Sequence, residues 1–122
     1  MKRGNLADVE WQGRFDWQKA ILFNEEDLEA KGSKMQVIKL QPGGVIEPHY
    51  HKVRTEVFYV LKGQGSILLN GDEFQSKEDD FFLCQPNTTH EFRNTGTDEF
   101  IVGIFRTNDP GDADMLWVKD KE

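Results

Sequence analysis

The stretch Gly43-Gly-Val-Ile-Glu-Pro-His49-Tyr-His51-Lys-Val-Arg-Thr-Glu56-Val-Phe-Tyr-Val-Leu-Lys-Gly63 decides how this chain is read. His49 and His51 are two residues apart, so on an extended strand both imidazoles leave the same face. Residues 52–55 are mostly polar and suit a turn. Glu56 then opens a run of β-branched and aromatic residues, the composition of a second strand. A hairpin of this kind returns the Glu56 carboxylate towards the two imidazoles. Two neutral nitrogens and a carboxylate oxygen converging from neighbouring strands can hold a divalent metal.

Working outward, residues 79–94 read as a strand, a turn at Pro86-Asn87 and a further strand that starts near His90. The chain holds three histidines, and all three fall within these two stretches. Scattered structural histidines do not cluster in this way. The second stretch therefore supplies a third nitrogen, His90, to the same candidate site.

The two stretches resemble the motifs of the cupin superfamily. The first family motif runs Gly, five residues, His-x-His, three or four residues, Glu, six residues, Gly; Gly43, His49, His51, Glu56 and Gly63 meet every position. The second runs Gly, five residues, Pro-x-Gly, two residues, His, three residues, Asn. His90 and Asn94 match it, whereas Asp79, Gln85 and Asn87 stand where the family has Gly, Pro and Gly. Asn tolerates the left-handed backbone that glycine supplies, and Pro86 keeps the turn. The resemblance implies an all-β, double-stranded β-helix (jelly-roll) barrel with a mononuclear metal site at His49, His51, Glu56 and His90. The ligand set suits Fe, Mn, Ni, Cu or Zn, and affinity order does not choose among them.

The rest of the chain agrees with a small barrel. Its 122 residues form one domain by the usual length prior, with nine Phe and three Trp as bulky core material. Strands are expected at 35–40, 66–69, 73–76, 81–84, 90–94 and 99–106, with Asn70-Gly71 as a two-residue hairpin turn. Three segments are expected: an arm at 1–33, the barrel at 34–107 and an acidic C-terminal segment at 108–122. In the arm, Phe15 and Trp17 alternate as on a strand, and Asn24 to Gly32 carries the punctuation of a short helix or structured loop. Met115, Leu116 and Trp117 form a small patch expected to dock on the body.

Strand parity describes the cavity wall. If Glu56 points inward, so do Phe58 and Val60, while Val57 and Tyr59 point out. If His90 points inward, so do Phe92 and Asn94, while Glu91 and Arg93 point out. The wall so counted is apolar apart from the ligands, and Glu56 is the only candidate base. Phe58, Val60, Phe92, Arg54 and Gln36 are the candidate substrate-binding residues. Arg54 reads first as a solvated turn residue and second as a holder of a substrate carboxylate; Gln36 and Arg106 are further lining groups. Cys84 reads as a buried thiol.

A net charge of −7 argues against nucleic acid or an anionic membrane surface as partner. No stretch approaches the roughly 20 apolar residues of a membrane span. No signal peptide is apparent and Cys84 has no cysteine to pair with, so a cytoplasmic protein is expected. Single-domain members of the family commonly pair, and Trp11, Phe15 and Trp17 are aromatic anchors that suit a homodimer interface. Three functions stay open. The first, favoured because the wall lacks a second titratable group, is a metal-dependent, dioxygenase-like enzyme acting on a small organic substrate. The second is a metal-bearing protein that binds a small ligand without turnover. The third is an isomerase or decarboxylase of sugar-like acids.

Overall fold

The computed structural model describes residues 2–13 and 15–121. Its strands are β1 (Gln12–Gly13), β2 (Trp17–Phe23), β3 (Lys34–Leu40), β4 (Val45–His51), β5 (Thr55–Lys62), β6 (Gly65–Leu69), β7 (Asp72–Ser76), β8 (Phe81–Cys84), β9 (His90–Arg93), β10 (Phe100–Thr107) and β11 (Met115–Trp117). They form two antiparallel sheets, ordered β1-β2-β3-β10-β5-β8 and β11-β4-β9-β6-β7. This is the expected jelly roll. Glu25–Leu28 is a single helical turn, α1, closed by a capping box between Asn24 and Asp27.

Three adjacent strands explain where the site lies. Along β3, β5 and β10 the inward residues are Gln36-Ile38-Leu40, Glu56-Phe58-Val60 and, in reverse direction, Arg106-Ile104-Val102-Phe100. Arg106 pairs with Glu56, and Ile104 pairs with both Gln36 and Phe58. All the polar members therefore fall at one end of the barrel. The other end is filled by Leu40, Phe58, Val60, Phe92, Phe100 and Val102, each at most 2% exposed.

Turn chemistry fixes the corners. Asn70 and Gly71 make the β6–β7 hairpin turn, and both central residues have positive φ. Asp79 and Asn87, which stand where the family motif has glycine, both hold the left-handed backbone. Gly63 also has positive φ, and a Cβ there would collide with the Glu99 carbonyl oxygen. Asn94 ties the closed end together, donating to the carbonyls of Leu40 and Asp98 at 2.8 Å each and accepting from Gly96 N. It is a structural residue.

The flanks depart from the sequence reading in detail. β2 starts at Trp17, so Phe15 precedes it and is 89% exposed. Trp17 lines the cavity and Trp11 lies under the Lys39 ammonium at 4.2 Å. The 115–117 patch is a strand, β11, paired with β4. Glu91 faces away from the cavity as expected but is buried, paired with Arg93.

Candidate metal centre

His49 and His51 reach the site because β4 is irregular. The register against β9 shifts between Ile46 and His49, where Pro48 has no N–H to give to the ladder. The irregularity switches parity, so Ile46, His49 and His51 are all buried. His90 opens β9 directly opposite His49. Glu56 enters from the start of β5 in the facing sheet.

Among the described residues, one group of metal-capable side chains emerges: His49, His51 and His90, whose ligand atoms lie within 4.8 Å of one another. Glu56 borders it, with Oε1 3.2 Å from His51 Nε2 and 3.5 Å from His90 Nε2. The hydrogen bonds fit a metal. His49 Nδ1 lies 2.8 Å from the Glu47 carbonyl oxygen and His90 Nδ1 3.0 Å from that of Thr88. A carbonyl only accepts, so each Nδ1 carries the proton and each Nε2 carries the lone pair. His90 Nε2 is buried with no hydrogen-bond partner among the described residues. His51 Nε2 receives Arg54 Nη2 at 3.0 Å, so a metal at this nitrogen requires the guanidinium to give way.

Electrostatics favour the ligand state. Burial, then repulsion from His90, pushes His49 down to about 3, and burial lowers His51 against the pull of Glu56. Burial alone would raise Glu56, but His51, His90 and the charge of Arg106 outweigh it and hold the carboxylate well below its ordinary range. Neutral imidazoles and an ionised carboxylate are what a divalent ion needs. Between pH 6.5 and about 3 the unfolded chain protonates His49 while the folded chain does not. With chelator present, stability should therefore fall on acidification across that window by about 1.4 kcal/mol per pH unit from this group alone. Melting curves at a neutral and a mildly acidic pH inside that window check this; equal stability at both contradicts it.

The wall is less apolar than the parity count predicts. A cavity of about 80 Å³ is lined by the ligands, by Ile38, Ile46, Phe92 and Ile104, and by Gln36, Arg54 and Arg106, with Trp17, Lys19 and Met115 also on its wall. Arg54 is 4% exposed, which corrects its reading as a solvated turn residue, and Arg106 is 7% exposed. Glu56 Oε2 lies 3.4 Å from Arg106 Nε and 3.8 Å from Arg54 Nε, and Asp109 Oδ2 lies 3.4 Å from Arg106 Nη1 and 3.3 Å from Arg54 Nη1. Both Nε atoms are buried without a hydrogen-bond partner among the described residues. Phe58 and Val60, expected on this wall, do not line the cavity; they are fully buried in the core, with Phe58 against the His90 ring. Cys84 lies on β8 opposite Glu56, its thiol 3.4 Å from His90 Nδ1, and burial followed by the Glu56 charge pushes it up to about 12. It is an inert thiol, as expected.

Comparison with known proteins agrees with this architecture. The family model described as "Cupin domain" matches residues 36–118. An oxalate-binding protein of Thermotoga maritima is 31% identical over 94 residues, covering 75% of this chain and 78% of the relative. Quercetin 2,3-dioxygenase of Bacillus subtilis is 37% identical over 62 residues, but these span 51% of this chain and only 18% of that enzyme. Among solved structures, a predicted oxalate decarboxylase from Thermotoga maritima superposes with a TM-score of 0.79 at 20% identity, covering 85% of this chain and 96% of the other. A polyketide cyclase from Streptomyces resistomycificus gives the same TM-score and identity over 97% and 85%. At that identity the two structures speak for the fold alone. No helix among the described residues is long and apolar enough to cross a membrane.

Proposed function

This chain belongs to the cupin family, and from that premise we propose that it is a metal-dependent enzyme acting on a small organic carboxylate at a mononuclear centre held by His49, His51, Glu56 and His90. The observation that carries this reading is the meeting of four ligand groups with two buried arginines in one small cavity. Arg54 and Arg106 balance Glu56 and Asp109, and Lys19 on the wall adds a positive charge, so a divalent ion makes the cavity clearly positive. In a chain of net charge −7, a positive cavity selects an anion. The cavity is small, which suits a small organic acid over a bulky one. The two Nε atoms, which face Glu56 without a hydrogen-bond partner among the described residues, and Gln36 on the same wall supply the donors for its carboxylate.

A transition-metal ion there supplies Lewis acidity and, if redox-active, electrons for dioxygen. The residues around it bind, orient and exclude water. Neither arginine is a proton carrier near neutral pH, which keeps a dioxygenase-like reaction ahead of acid–base isomerisation. Retention of the acid without turnover is the second reading, favoured by the small cavity and by what the Thermotoga relative is named for. The test is elemental analysis of protein purified without added metal, then calorimetric titration with oxalate and oxygen uptake with the native ion. Metal-dependent oxalate binding with oxygen uptake supports the first reading, and binding alone the second. Absence of metal contradicts both.

We further propose that the protein works in the cytoplasm as a homodimer. Trp11 and Trp17 are engaged with the barrel while Phe15 is exposed, and β8 is, among the described residues, an open sheet edge carrying Phe81 (72% exposed) and Leu83 (58% exposed). Beside it Val57, Tyr59, Leu61 and Phe105 are also exposed, and Phe81 stacks on Tyr59. An apolar edge of this kind invites antiparallel pairing with a second copy. Light scattering at micromolar concentration should give twice the chain mass, reduced to the chain mass by Phe81→Glu; a monomeric wild type contradicts the proposal.

A further inference from the structure

The chain returns to the site after β10. Asp112–Asp114 forms one 3-10 turn and leads into β11, which sets Met115 opposite His51 and Trp117 opposite His49. Met115 lines the cavity, and the Trp117 ring lies 5.1 Å from the His49 ring. Asp114, the last residue of the turn, is 7% exposed. Its carboxylate accepts from Lys52 N at 3.0 Å, from Val53 N at 3.1 Å on both oxygens, and from Arg54 N at 3.0 Å. These three successive amides form the turn between His51 and Glu56. Burial opposes ionisation of Asp114, but the amides outweigh it and hold the carboxyl below its ordinary value.

We propose that Asp114 is a positioning residue of the metal centre: by clamping the 52–54 turn, its carboxylate sets the direction in which His51 and Arg54 enter the cavity. The proposal rests on the metal reading above. It makes the C-terminal segment part of the site. The physical reason is leverage. His51 ends β4 and Arg54 precedes β5, so each side chain is aimed by the backbone of a turn that is outside the ladder. Such a turn relaxes unless its N–H groups are held. A carboxylate accepting from three consecutive amides, through charge-assisted hydrogen bonds, holds all three at once. Loss of a partner that orients a metal ligand typically weakens metal affinity about 10- to 100-fold.

The experiment is a Co2+ titration of the full chain, read by visible absorption, together with amide hydrogen exchange at residues 52–54. Asp114→Ala should bind Co2+ about 10- to 100-fold more weakly, with a changed absorption band. Asp114→Asn, whose side-chain oxygen still accepts, should lose less. Asp112→Ala, an exposed acid on the same turn, should bind as wild type. Exchange of the three amides should rise by about 10-fold or more in Asp114→Ala, the effect of losing one such bond, and by less in Asp114→Asn. Wild-type Co2+ affinity and spectrum in Asp114→Ala, or an equal loss in Asp112→Ala, overturns the proposal. If the alanine variant does not fold, Asp114→Asn carries the test, and unchanged affinity, spectrum and exchange overturn it. A wild-type chain that takes up no Co2+ overturns the metal reading and this role with it, while the exchange data still report whether the clamp exists.

Discussion

Replacing His49 or His51 by alanine is expected to strip the protein of most of its metal and to lower its melting temperature by about 15 °C. The first part follows from geometry. The three imidazoles bring their ligand atoms within 4.8 Å of one another, and removing one leaves two nitrogens and a carboxylate that already faces two arginines. The second part follows from linkage. An ion that binds only the folded chain stabilises it by about 4 kcal/mol when present at about a thousandfold excess over its Kd. For a domain of this size about 1 kcal/mol corresponds to roughly 4 °C. Removing an imidazole from a tight site also leaves a gap beside Trp117 or Arg54, a smaller loss of the same sign. Elemental analysis and melting curves with and without chelator check both parts. Chelated wild type should melt close to the variants; stoichiometric metal in both variants contradicts the ligand assignment.

Glu56→Gln is expected to destabilise the protein by about 3–5 kcal/mol, because removing one partner leaves a buried charge uncompensated. Here two guanidiniums, of Arg54 and Arg106, lose the carboxylate they face, and only Asp109 remains to them. The same change keeps size but weakens metal affinity, since the amide oxygen is a poorer ligand than a carboxylate. In a metal-centred enzyme, excess metal should restore part of the activity. In an acid–base enzyme, turnover should stay absent even at full occupancy, because among the described residues Glu56 is the one carboxylate facing both histidines and arginines, and an ion holds it deprotonated while bound. The measurement is turnover normalised to metal occupancy. No recovery at full occupancy moves the assignment to an isomerase or decarboxylase.

What the sequence carried about this site depended on how local each signal is. The spacing of His49, His51 and Glu56, and the parity that buries Phe92 and exposes Val57 and Tyr59, can be read from single strands because the strand period is two. The Asn70-Gly71 hairpin and the left-handed Asn87 follow from turn chemistry in the same way. Arg54 was also within reach, since it shares parity with Glu56, but a polar residue beside Lys52 reads as solvent-facing unless the count is carried back across the turn. Arg106 needs the β10–β5 register, which no local pattern gives. Asp114 is harder still: its partners lie 60 to 62 residues earlier in the chain, and an acid in an acidic segment carries no mark of being buried. Phe58 and Val60 show the converse limit. Parity sends them inward correctly, yet does not say whether inward means cavity or core.

The metal assignment is tested most directly by anomalous diffraction at the metal absorption edge, from crystals of the chain purified without added metal. One peak is expected, about 2.0–2.2 Å from an imidazole nitrogen of each of His49, His51 and His90 and from a Glu56 carboxylate oxygen, with the Arg54 guanidinium moved off His51 Nε2. A peak elsewhere, or none with Arg54 still donating to His51 Nε2, would contradict it.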